Sequence, residues 1–176
     1  MSPYATTICG WRTASKRLPR YAEVTPRIKS PFVVTIAAIA LAACVSAPKA
    51  DPATERAAKA FAAIPGKAQL YIVRPSSFGT AVLYQVAIDG RLLGSLPGET
   101  FLLATLEPGS HVVSFTNATS QENTPLQLEP GKNYFLRVGM HPGSMSNRAR
   151  TKLVDEQEGR GLVFANAMVQ STASLP

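Results

Sequence analysis

Cysteine and tryptophan are almost missing from this chain of 176 residues, and the few there are lie near its start. The two cysteines are Cys9 and Cys44, and the single tryptophan is Trp11. Residues 45–176 therefore have no disulfide to form among themselves, and their stability must come from a hydrophobic core. Long apolar runs are missing too. The longest, Phe32 to Ala43, covers 12 residues, whereas a helix that crosses a bilayer needs roughly 20. Only two histidines occur, His111 and His141. No serine sits in the Gly-x-Ser-x-Gly nucleophile pattern.

What is present centres on Cys44. Leu41-Ala42-Ala43-Cys44 closes the apolar run, Arg27 and Lys29 precede it, and a loose Ser/Ala/Pro/Lys stretch follows. That order matches a secretory signal peptide, with its charged, apolar and small-residue segments. A buried core helix is the plainer reading, but such a helix ends more often in Gly, Asn or a basic last turn. The tetrapeptide resembles the lipobox of bacterial lipoprotein precursors. This resemblance implies cleavage between Ala43 and Cys44, acylation of the Cys44 thiol and of the new amine, and a mature chain anchored to a membrane by lipid. In that family Asp after the cysteine favours the inner membrane. Val45 therefore implies the outer membrane, with the protein facing the periplasm. Pro3, Pro19, Pro26 and Pro31 prevent a long helix before the apolar run. Initiation at Val24 would leave a compact leader, Val24 to Ala43.

The leader also carries most of the net charge. The whole chain is +7 with a pI near 9.7. Residues 1–43 hold six basic residues (Arg12, Lys16, Arg17, Arg20, Arg27 and Lys29) against Glu23. Without them the chain is close to neutral. The high pI therefore does not argue for a nucleic-acid partner.

Residues 44–65 read as a tether. Val45 to Pro52 is small, polar and proline-bearing. Residues 53–64 fit a short Ala-rich helix with Phe61 and Ile64 as its apolar contacts, ended by Pro65-Gly66. From Lys67 the period becomes two, and strands are expected at 67–73, 81–88, 91–96, 101–106, 111–116, from 126, and at 133–138. A last strand is expected near 152–155 and a short helix over 162–169. Asp89-Gly90 is a strong hairpin signal, because both turn positions favour positive φ. Leu-Glu-Pro-Gly occurs twice. Its Pro108-Gly109 and Pro130-Gly131 pairs suit type II turns, with Pro presetting one φ and Gly supplying the positive one. Two similar turns explain the repeat better than an internal duplication. The fold class is all-β: an antiparallel β-sandwich of seven or eight strands, residues 66–165, with a tail over 166–176. Alternation predicts one buried and one wet face per sheet. Pro75, Pro97 and Pro125 sit where they would protect edge strands.

"AQLYIVRP", the strand ending Ile88-Asp89-Gly90, the Pro-Gly turn before "HVVSF", and "LEPGKNYFLRV" together resemble bacterial lipoproteins of the domain-of-unknown-function family 2846. The stretch "IDGRLLGSLP…LEPGSHVVSF" also resembles the PEGA domain, a small sandwich of transthyretin-like topology. The first likeness covers roughly residues 66–163. Neither family carries an established activity, so the resemblance implies no catalytic residue.

The remaining chemistry is sparse. Met140-His141 with Met145 is a conceivable soft-metal set, but its spacing follows no ligand rule and Pro142-Gly143 accounts for the loop. Asp89, Glu107 and Glu129 belong to turns, while Asp155, Glu156 and Glu158 form an acidic run of the solvated kind. Arg74, Arg137, Arg148 and Arg150 would suit an anionic polymer or lipid head groups, against a plain reading as solubilising surface. Tyr71, Tyr84, Tyr134 and Phe135 read as core or cross-strand residues. No cofactor, metal or catalytic residue is expected. The expected function is a lipid-anchored, non-enzymatic interaction module of the envelope, with an envelope protein or polymer as partner. A subunit of a secretion or envelope-assembly complex is the alternative, and an enzyme on envelope glycans a third reading.

Overall fold

The computed structural model describes residues 47–76, 82–140 and 147–172. Strand β1 (Ala68–Arg74) is buried along its whole length. Its alternating side chains enter two separate layers. Ala68, Leu70 and Ile72 join the core between two sheets, whereas Tyr71 and Val73 join a second, aromatic cluster on the opposite face. The wet face expected of this strand is thus covered, by both helices together with Phe61 and Met168.

The other elements follow in chain order. They are β2 (Tyr84–Ile88), β3 (Arg91–Leu96), β4 (Thr100–Leu106), β5 (Gly109–Thr116), β6 (Gln121–Leu128), β7 (Asn133–Met140) and β8 (Ala149–Val154), then helix α2 (Glu156–Ala165) and a two-residue β9 (Ala167–Met168). Helix α1 (Pro52–Ala58) precedes β1. One sheet runs β8-β7-β1-β4-β9 and the other β3-β2-β5-β6. The arrangement is the expected all-β sandwich. Most ladders are antiparallel, but β1 pairs parallel with β7, and β4 with β9. Neither pair is joined by a hairpin, so no short turn forces the two strands to run in opposite directions.

The turns are partly as expected. Asp89 (φ 50°) and Gly90 (φ 78°) both take the left-handed region at the β2–β3 hairpin, the signature of a type I′ turn. Gly131 has φ 73°, and its N–H donates to the Lys67 carbonyl at 2.7 Å. Gly109 departs from the type II expectation. Its φ is 140°, and it already pairs with Leu128 as the first residue of β5. The same Pro-Gly pair therefore serves as a turn once and as a strand entry once. Pro125 lies in edge strand β6 and Pro97 just after edge strand β3. Pro75 ends β1, which is central, and protects no edge.

Helix α2 starts earlier than residue 162 and stops before Val169. Asp155 caps it by accepting the Glu158 N–H at 2.8 Å, and Glu156 and Glu158 sit in the first turn. The acidic run is thus a helix start favoured by the macrodipole. Gly159 lets the helix lie directly on Phe135. A Cβ there would fall 2.1 Å from Phe135 Cγ.

Helix α1 ends at Ala58, short of residue 64. Asp51 caps it, accepting the N–H groups of Ala53 and Thr54. Phe61 takes φ 53° and turns inward, 5% exposed, while Ile64 stays 38% exposed. Phe61, Tyr71 and Phe135 form the centre of the aromatic layer, with ring centroids 5.0–5.8 Å apart. The Tyr71 hydroxyl donates to the Ala58 carbonyl at 2.9 Å, and burial pushes its pKa up to about 12. Much of the expected tether is therefore part of the fold. Lys49 bridges Val169, and the Gln170 N–H donates to the Pro48 carbonyl at 2.8 Å. The expected C-terminal tail is also packed as far as Thr172, whose N–H donates to the Leu93 carbonyl at 2.7 Å.

Candidate functional site

Ala43 and Cys44 lie outside the described residues, as do His141 and Met145. The lipidation site and the Met/His set therefore have no geometry to report. Among the described residues no three His, Cys, Asp or Glu side chains gather as a metal site would require.

Asp89 does more than turn a hairpin. Its Oδ1 accepts the Val112 N–H at 2.8 Å, and its Oδ2 lies 2.6 Å from His111 Nδ1. His111 Nε2 lies 2.9 Å from the Glu107 carbonyl oxygen. Both ring nitrogens therefore face acceptors, an arrangement satisfied best by the imidazolium, which donates from both. Burial alone would lower the His111 pKa, but the Asp89 carboxylate and the Glu107 carbonyl outweigh it, so the value sits above the ordinary one. For Asp89, burial acts to raise the pKa, and the Val112 N–H and His111 prevail to lower it. A histidine with both nitrogens engaged has none left to take a substrate proton, so the trio is a clasp joining the β2–β3 hairpin to β5. The remaining acidic candidates are similarly engaged: Glu107 with Lys67, Glu129 with Lys132, Glu156 with Arg160 and Glu158 with Arg137.

Arg74 is not a surface cation. It is 1% exposed, its Nη1 donates to the carbonyls of Val82 (2.6 Å) and Leu96 (3.2 Å), and its guanidinium lies 4.7 Å from the Tyr84 ring centroid. It closes one end of the sandwich. Burial lowers its pKa, opposed by Tyr84.

The exposed cations behave differently. Strands β7 and β8 pair Arg137 with Lys152 and Gly139 with Arg150. Residues 137, 139, 150 and 152 share one face, and with Met140 they line an open groove of about 300 Å³. Arg137 reaches Glu158 at 3.2 Å, a contact open to solvent and therefore weak. Arg150 and Lys152 have no carboxylate partner among the described residues. Arg137 and Arg150 were expected as exposed cations; Lys152 was missed. The signal for it is the alternation Arg148-Ala149-Arg150-Thr151-Lys152, which places every cation on one side of a strand. Arg148 stands just outside β8 and does not line the groove.

No solved structure matches this chain. An uncharacterized protein of Haemophilus influenzae is 32% identical over 124 residues, which span 70% of this chain and 74% of the relative. The chain matches the family described as "Protein of unknown function (DUF2846)" over residues 65–150, from the turn before β1 into the start of β8. The chain belongs to that family.

Proposed function

We propose that this protein is a lipid-anchored, non-enzymatic binding module of the bacterial envelope, held by acylated Cys44 at the outer membrane and facing the periplasm. One observation carries the reading. Leu41-Ala42-Ala43-Cys44 closes an apolar run too short to span a bilayer, with Arg27 and Lys29 before it. Two or more acyl chains hold a protein stably where one does not, at about 0.8 kcal/mol per buried methylene. The sequence order suits this role, because Cys44 precedes the first strand, Ala68–Arg74, and no cysteine follows it. Labelled palmitate fed to producing cells tests the anchor. The wild-type chain incorporates label and sediments with membranes. Cys44→Ala loses the label and appears in the soluble periplasmic fraction. A Cys44→Ala chain that still carries palmitate, or a wild type that never does, refutes the proposal.

A further inference from the structure

We propose that the groove lined by Arg137, Arg150 and Lys152 binds a phosphate-type oxyanion. The register of the β7–β8 ladder sets Arg137 directly opposite Lys152, with Arg150 one pair further along the same face. Like charges directly opposite work against a ladder. Protection of edge strand β8 explains a cation on that strand. It does not explain an arginine brought opposite from the inner neighbour, β7. The floor is open as well. A Cβ built on Gly139 has as its nearest neighbour the Arg150 carbonyl oxygen at 4.0 Å, so a side chain there would occupy the groove. Three cations around one glycine, with Glu158 as their one carboxylate partner among the described residues, leave an excess of positive charge in a small concavity. Guanidinium groups bind oxyanions through paired donors, and an ammonium adds a compact charge. The inference deepens the reading as a binding module, yet stands on the folded sandwich and not on Cys44.

Phosphate oxyanions arrive as lipid head groups or as small solutes, and the test separates the two. The full chain carrying Cys44→Ala is titrated with inorganic phosphate and followed by amide chemical shifts. Shifts are expected to concentrate at residues 137–139 and 150–152. Arg150→Gln/Lys152→Gln is expected to weaken binding about tenfold, as loss of charge-assisted hydrogen bonds does. Gly139→Val, which fills the floor and leaves the charges unchanged, is expected to weaken it too. Co-sedimentation with phosphatidylglycerol and with phosphatidylcholine vesicles assigns the source. A preference for phosphatidylglycerol that the double variant loses identifies a lipid head group; phosphate binding without that preference identifies a solute. The proposal is overturned if the double variant, melting no lower than its parent, binds phosphate within about twofold of it. Shifts scattered over unrelated lysines and arginines overturn it equally.

Discussion

His111 and Asp89 show how one hydrogen-bonded pair makes a fold respond to pH. A histidine whose pKa is raised on folding contributes its full stability below the ordinary value of 6.5 and loses it as pH rises through the folded value. An aspartate whose pKa is lowered contributes above its ordinary 3.8 and loses that contribution as pH falls through the folded value. The clasp is therefore strongest between these two ordinary values. His111→Gln is expected to cost stability near pH 5 and progressively less above pH 7, with a difference below about 1 kcal/mol because Asp89 is half exposed. Urea melts of both chains across that range decide it, and a gap that widens with pH contradicts the clasp. Asp89→Asn tolerates the left-handed turn but removes the negative charge. The His111 imidazole should then titrate closer to 6.5 in an NMR pH series.

Helix α2 packs through its glycine. In an exposed helix Gly→Ala is stabilising by roughly 1 kcal/mol. At position 159 the new methyl collides with Phe135, and overpacking of this kind costs about 1–3 kcal/mol. Gly159→Ala is thus expected to lower the melting temperature, and a rise would show that the helix does not rest on Phe135. The same glycine hid the helix in the sequence, since Gly159 and Gly161 both weaken a helical pattern. Features set locally were legible. Asp89-Gly90 specifies its hairpin by backbone preference alone, and Tyr84-Gln85-Val86-Ala87-Ile88 alternates because one face is buried. Features set by distant contacts were not. Tyr71 reads as a core or cross-strand residue and is one, but the second layer that α2 and Phe61 build over Tyr71 and Val73 has no local signal, and neither has the parallel β1–β7 pairing. The candidate groove divides in the same way. Its arginines were visible as exposed cations, but the cross-strand register that gathers them was not.

The folded body of the molecule is longer than its strands. Ala58 and Phe61 pack into the aromatic layer, while Lys49 and Ala50 bond to the β9 region. A chain beginning at Lys67 lacks all four. It is expected to melt below one beginning at Ala47, with loss of the buried Phe61 alone worth about 3 kcal/mol or more. Equal melting temperatures in a calorimeter would mean that the N-terminal segment adds nothing to the fold. The Pro48–Gln170 hydrogen bond has a consequence for distance. A free linker of residues 44–65 would let the sandwich drift by about 25 Å on average. With Pro48 fastened, only four peptide steps separate the sandwich from an acylated Cys44, a reach of at most about 14 Å. On such an anchor the Pro48 end of the sandwich would stay within about 14 Å of the lipid surface.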